Sequence, residues 1–278
     1  MSLALFWIEV QKLLKRRLFL ILLGLMLGLE LLLFFGGALL FNVLGNPQML
    51  KASLTFPGGL SLGIALSSNL GGLFLLILAA DVANSEYQWR TLHLYLSQGI
   101  SRVMLVSVRI LALIVPALLF VLAPLLLAVV STLILTPLLG GSFDLAAIQW
   151  GSFWVNVART VLYLVPFSTF AFMLGVLTRS MAVTIIFSLL YVFIAEPVLK
   201  SMGDFFGQRL GEITPYLPFQ LTNALLGQGG EGVMIAPDES IIPVMALDPN
   251  IAGFGVLVWV GFFWLLSLVV LLQQDLTT

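Results

Sequence analysis

The sequence predicts an all-α integral membrane protein. It has six transmembrane helices, an N-terminal interfacial helix, a cytoplasmic helix between the second and third spans, and short external helices before the last span. Three observations predict this. First, long apolar stretches recur at Leu18–Phe41, Leu60–Ala80, Ile110–Thr136, Thr160–Thr178, Met181–Leu199 and Ile251–Leu272. About 20 apolar residues in a helix cross the ~30 Å hydrocarbon layer, and a helix closes its backbone hydrogen bonds internally, as lipid requires. Second, hydrophobic residues make up 60% of the chain and charged residues 9%, against about 25% charged in a soluble domain; mean hydropathy is +1.13. Third, the second, third and fourth stretches carry no charged residue. Residues 1–278 read as one transmembrane domain.

Residues 1–17 read as a helix lying in the membrane surface. Glu9, Lys12 and Arg16 share one face by their spacing, and Phe6, Val10, Leu13 and Leu14 cover much of the other. A basic face opposite apolar bulk suits an interfacial helix; a plain extension of the first span is the alternative. No cleavable signal peptide is expected, because the apolar stretch after Arg17 is too long for one and no small-residue cleavage site follows.

Lys and Arg set the orientation. With the N-terminus inside, the cytoplasmic segments hold Lys12, Lys15, Arg16, Arg17, Arg90, Arg102, Arg109 and Arg179, eight of the 12 basic residues. The positive-inside bias puts both termini in the cytoplasm of a multi-pass cell (inner) membrane protein. The loop Pro137–Val157 is then outside, and Arg179–Ser180 is a tight cytoplasmic turn between the fourth and fifth spans.

Glu30 falls near the middle of the first span. An intramembrane carboxyl is costly and is a functional candidate by default. Either it lines a pathway or bonds a partner chain, or it is a protonated structural group satisfied by a neighbouring helix. Gly24 and Gly28 before it allow close helix approach. The second span carries Gly63, Ser67, Ser68, Asn69, Gly71 and Gly72, a set that packs helices closely or lines a permeation path. Pro116, Pro124 and Pro166 should bend the third and fourth spans.

The segment 81–109 is the most informative. Ser85 reads as a helix N-cap with Glu86 in the first turn. Trp89, Leu92 and Leu96 form an apolar stripe, and Arg90, His93 and Ser97 a polar one. Gly99 ends this helix and Ser101 caps the next. A short amphipathic helix held between two spans is a handle that another protein can push; a surface helix packed on lipid headgroups is the alternative.

The external segment 200–250 carries Asp204, Glu212, Glu231, Asp238, Glu239 and Asp248 against Lys200 and Arg209, six minus two, a net −4. Phe205, Phe206 and Leu210 suit one short helix. Leu217, Phe219, Leu221, Leu225 and Leu226 suit a second that dips toward the membrane. A mostly irregular loop is the alternative, given the five prolines Pro215, Pro218, Pro237, Pro243 and Pro249.

The stretch Glu86-Tyr87-Gln88-Trp89-Arg90-Thr91-Leu92, followed by Gly99-Ile100-Ser101-Arg102, resembles the loop after the second span in the type-two permeases of ATP-binding-cassette (ABC) exporters. Those often read Glu-Tyr-x-x-Gly-Thr, then a Leu-rich helix and a Gly-or-Pro-x-Ser-Arg ending; Arg90 stands where the family often has glycine. The layout of basic N-terminal helix, six spans and long external segment before the last span is similar too. The resemblance implies a coupling helix at Glu86–Ser97 that docks on an ATPase subunit. It implies coupling residues Glu86, Tyr87, Trp89, Arg90, Thr91, His93, Ser97 and Arg102, with Glu9 and Lys12 from the N-terminal helix. It also implies two ATPase subunits, and a second permease copy or related chain. Pathway or interface residues are then Glu30, Gly24, Gly28, Ser67, Ser68, Asn69, Gly71 and Gly72.

Several chemistries are excluded. No Gly-x-x-x-x-Gly-Lys-Ser/Thr occurs, so ATP and Mg belong on a partner chain and this chain carries no cofactor of its own. Gly227–Gly232 fits Gly-x-Gly-x-x-Gly without a strand before it and reads as a turn. Gly59-Leu-Ser-Leu-Gly63 fits a nucleophile pattern, but the single histidine, His93, lies on the other membrane side. There is no cysteine for a disulfide, a thiolate or a thiolate metal site. A net charge of −1 gives no reason to expect nucleic acid. No catalytic set and no metal site is expected. An ion-driven secondary transporter working through Glu30 is the rival reading, although the last three spans show no repeat of the first three.

Overall fold

The computed structural model describes residues 2–43, 48–89, 101–143, 145–206, 213–227, 233–235, 241–243 and 247–273. Among these residues the chain is helical apart from one small hairpin. Its helices are α1 (Ser2–Leu14), α2 (Arg17–Val43), α3 (Gln48–Leu54), α4 (Gly58–Trp89), α5 (Arg102–Ala112), α6 (Ile114–Leu138), α7 (Trp150–Thr178), α8 (Met181–Leu190), α9 (Glu196–Phe206), α10 (Pro218–Leu225) and α11 (Pro249–Gln273). The hairpin pairs β1 (Val233–Ile235) with β2 (Ile241–Pro243), antiparallel, with Met234 opposite Ile242. It falls inside 200–250, where the sequence pointed to helices or irregular loop.

Six segments are long and apolar enough to span a bilayer: Arg17–Phe41, Gly58–Ser85, Arg102–Leu138, Trp150–Thr178, Met181–Met202 and Pro249–Gln273. Each contains an expected stretch, with the second, third and fourth clearly longer. The third is interrupted at Leu113, between α5 and α6. The cause is Pro116, which has no N–H for the Ala112 carbonyl and whose ring crowds it. Pro124 and Pro166 sit inside unbroken helices. The fifth span contains a π-helical turn at Tyr191–Ala195. Pro197 follows it, and the widened turn absorbs the hydrogen bond that Pro197 cannot donate.

The helix after Ser85 differs from expectation. Ser85 is no N-cap: α4 runs through it to Trp89, and its hydroxyl donates back to the Val82 carbonyl at 3.1 Å. Ser101 does cap α5, its Oγ accepting from the Met104 amide at 3.2 Å. The fourth and fifth spans meet in the expected tight turn, with Arg179 in the left-handed region at φ 53°. Phe205 and Phe206 end α9, continuous with the fifth span, rather than starting a separate helix; Leu210 lies outside the described residues.

The chain divides into two compact units. The first comprises Leu3–Leu75 and Ala112–Leu164. Its core joins Phe34, Leu54, Ala128 and Leu135. Phe120 meets Phe19 at 5.7 Å and Phe74 at 6.3 Å between ring centres. The α3–α4 turn is pinned to the end of α6: the Phe56 amide donates to Thr136 Oγ1 at 2.9 Å and Lys51 Nζ to the Gly140 carbonyl at 2.9 Å. In α1, Leu5, Val10 and Leu13 are buried, and so is Glu9. Glu9 is therefore no part of a solvated face; Lys12 Nζ bonds it at 2.9 Å from the more exposed side. The apolar residues Leu3, Trp7 and Ile8 are exposed instead.

The second unit comprises Leu76–Leu111 and Val165 onward. Aromatic rings form its centre: Phe219 lies 4.7 Å from Phe167 and 5.6 Å from Phe170, and Phe170 lies 5.2 Å from Phe263. The expected dipping helix is α10, with Phe219, Leu221, Ala224 and Leu225 buried. It packs on α11, where Leu221 fills the notch at Gly255 and Trp259 Nε1 donates to the Tyr216 carbonyl at 2.9 Å.

Close approach in the first unit depends on Gly63. A Cβ there would stand 2.6 Å from Ala128 Cβ and 3.4 Å from Glu30 Oε1. Two Cβ atoms cannot yield without backbone movement, so Gly63→Ala should destabilise the protein by about 1–3 kcal/mol. The thermal unfolding midpoint in detergent should fall, and Ala128→Gly in the same chain should restore part of it. An unchanged midpoint refutes the contact.

Candidate functional site

Glu30 on α2 is 1% exposed, and neither carboxyl oxygen has a hydrogen-bond partner among the described residues. It faces the Gly63 notch of α4, where the Pro124 carbonyl of α6 also approaches. Helix–helix packing therefore delivers an unsatisfied acid to a three-helix junction. Burial of a carboxyl without partners costs several kcal/mol in the charged form, so such groups are rare outside functional sites.

The small and polar residues of α4 behave differently. Ser67 Oγ donates to the Gly63 carbonyl at 2.9 Å, Ser68 Oγ to Ala65 at 2.9 Å, and Asn69 Nδ2 to Ala65 at 2.7 Å. Ser67 and Ser68 are buried and Asn69 is exposed. Gly71 and Gly72 are buried, and Gly71 packs against Leu164 and Phe120 of its own chain. Gly24 and Gly28 are exposed, and a Cβ at either would meet nothing within 4 Å.

The segment between the second and third spans is described at its two ends. Glu86, Tyr87 and Trp89 form the last turn of α4. Arg90, Thr91, His93 and Ser97 lie outside the described residues. At the far end, Arg102 Nη1 donates to the Leu271 carbonyl at 2.8 Å and the Leu272 carbonyl at 3.2 Å. A guanidinium there bonds carbonyls in the last described turn of α11, where a positive charge complements a helix dipole. One helical stretch along, Trp264 Nε1 donates to Ser107 Oγ at 3.0 Å. The start of the segment is anchored as well. Asn84 is fully buried and Nδ2 donates to Thr184 Oγ1 at 3.2 Å, which in turn bonds Thr178 Oγ1 at 2.7 Å and the Ser180 carbonyl at 2.8 Å. Gly175 makes room, since a Cβ there would stand 2.5 Å from Ala83 Cβ.

A second intramembrane carboxyl, Glu196, escaped the sequence reading. It is fully buried on α9, and Oε1 accepts from the Gln220 amide at 2.5 Å. The Phe219 amide and the Tyr191 hydroxyl face the same group. Gln220 lies in the first turn of α10, so the acid occupies a helix N-terminus, where free amides and the dipole favour it. The signal was present: one carboxylate inside an otherwise uncharged apolar run, directly before a proline.

The fold and these intramembrane groups define a multi-pass helical membrane protein. Residues 64–276 match the family described as "Protein of unknown function (DUF2705)", and the chain belongs to that family. No curated protein matches it.

Glu196 should tolerate an acceptor of the same shape. Glu196→Gln keeps an oxygen for the Gln220 amide and should fold as the native chain does. Glu196→Leu leaves that amide unpaired and should cost about 1–3 kcal/mol. The expected readout is faster hydrogen exchange over 218–225 in the Leu variant alone; equal exchange in both would sink the anchoring role.

Proposed function

We propose that this chain is the membrane permease subunit of an ABC exporter. The reading rests on one observation above the others: both described ends of the segment that resembles a coupling helix are bonded to other spans of the same unit. Arg102 grips the end of α11, and Asn84 joins α4 to the α7–α8 turn through Thr184. A docked protein pushing on 90–100 would therefore move anchored helices rather than a loose loop. The ends of spans 2, 3, 4, 5 and 6 take part. In this reading both termini are cytoplasmic and two separate ATPase subunits carry ATP and Mg. Two permease chains enclose the pathway and the chain itself catalyses nothing. The exposed Gly24 and Gly28 on α2, and the largely exposed fifth span, offer faces for the second copy. ATP closure would then shift the population between inward-open and outward-open states.

Cysteines at Arg90 or His93 should crosslink to the ATPase that co-purifies with the chain. Arg102→Ala should keep that crosslink while lowering ATP-coupled transport several-fold. Labelling of positions 90 and 93 from outside the cell would overturn both the orientation and the mechanism.

Glu30 favours a second reading, an ion-driven secondary transporter, because both its oxygens are unpartnered among the described residues. The two readings separate in reconstituted vesicles. An ABC exporter should retain most transport in Glu30→Gln and lose all of it without ATP. Transport that survives ATP removal but is abolished in Glu30→Gln as fully as in Glu30→Leu selects the ion-driven mechanism.

A further inference from the structure

We infer that a cavity at the head of α7 binds an uncharged, hydroxyl-rich headgroup of the glycosyl or glycerol type. The cavity holds about 310 Å³ and lies within the first unit, between the start of α4 and the start of α7. That is the small end of the usual ligand-pocket range of about 300–1,000 Å³, room for one ring rather than a polymer.

Its chemistry is polar and neutral. Gln149, Ser152 and Asn156 follow an i, i+3, i+7 spacing and so share one face of α7, and Ser61 of α4 joins them in lining the cavity. Among the described residues that line it, none is charged. The only side-chain bond within this set is a long one, Ser152 Oγ to Gln149 Oε1 at 3.4 Å. The Ser61 hydroxyl and the Asn156 amide make no hydrogen bond among the described residues. Amides and hydroxyls both donate and accept, which is what a ligand bearing several hydroxyls demands. The described lining residues offer a charged headgroup no counter-charge, and an acyl chain would leave these groups unsatisfied.

Depth argues in the same direction. Trp150 and Trp154 at the head of α7 are 48% and 55% exposed. Exposed tryptophans at the end of a span mark the level of lipid headgroups. Phe153, which lines the cavity, stands edge-on to both rings, at 6.0 and 5.4 Å between centres. Phe153 and Leu60, which both line the cavity, offer apolar surface for the C–H side of a sugar ring or glycerol backbone. Asn156 sits nearly two turns inside the helix, where hydrocarbon offers no partner. A ligand that covers it removes that cost.

The inference needs no ATPase and goes beyond the transport reading, so its test uses the purified full chain alone. Nanodiscs of phosphatidylcholine with increasing fractions of monoglucosyl diacylglycerol should give a saturable change in tryptophan emission. Trp150→Phe with Trp154→Phe should remove the signal. Asn156→Leu deletes two or more hydrogen bonds from an exposed position and should weaken apparent affinity about tenfold. Ser61→Ala is a milder variant that should weaken it a few-fold. Circular dichroism checks that both variants fold. A matching response to free methyl glucoside assigns a soluble ligand, and a response to the glycolipid alone assigns a membrane headgroup. The inference fails if neither probe changes emission beyond phosphatidylcholine itself. It also fails if folded Asn156→Leu binds like the native chain, or if cysteines at Ser61 and Asn156 crosslink two copies and so show a second chain as the occupant.

Discussion

Hydrocarbon offers no hydrogen bonds, and the rest of this structure follows from that constraint. Its first consequence is that most polar side chains in the spans turn back on their own helix. Ser67 bonds Gly63, Thr132 bonds Ala128, Thr160 bonds Asn156, and Ser267 bonds Phe263, each to the carbonyl one turn earlier at 2.8–2.9 Å. A hydroxyl satisfied in this way adds little attraction between helices. Shape must then hold them, since lipid tails are as apolar as leucine and give no net hydrophobic drive. Gly63 against Ala128 and Gly255 against Leu221 are the places where that shape is cut.

The two carboxyls buried within the spans answer the same constraint in opposite ways. Glu196 is given the amides at the start of α10, and so fastens a short helix onto the aromatic centre of its unit. Removing either partner leaves the other unsatisfied, which makes the pair structural. Glu30 receives no such partner among the described residues, although it sits at a junction tight enough to require a glycine. A fold that gives Glu196 Oε1 a backbone amide and leaves both Glu30 oxygens bare has not spent Glu30 on holding helices together. That difference directs the functional argument to Glu30.

Much of this was legible in the chain because lipid enforces a coarse code. Stretch length and lack of charge located all six spans, and Ser101 and the Arg179–Ser180 turn marked two boundaries. The local signals failed where packing overrode them. Ser85 has the side chain of an N-cap, but α4 was already formed and the hydroxyl bonds back into it. Glu9 fits a polar face by spacing, yet it is buried beside Lys12. Gly71 looked free for a partner, and Leu164 of the same chain occupies its notch. The paired strands Val233–Ile235 and Ile241–Pro243 have three residues each, too short for an alternating pattern to register. The cavity at the head of α7 brings Ser61 near Asn156, a pairing that no local spacing announces.

The anchoring of α5 bears on how force could pass through this chain. One hydrogen bond would let α5 pivot against α11. Two attachments, at Arg102 and at Ser107, lie more than one turn apart and fix its direction as well. Beyond Ala112 the helix is interrupted, because Pro116 removes a backbone bond there. A displacement applied at the start of α5 is therefore passed sideways to α11 through a charged cap and an indole bond. Along its own axis it meets a missing hydrogen bond. The stiffer route is the lateral one, so the end of the 81–109 segment is mechanically part of the last span rather than of α6.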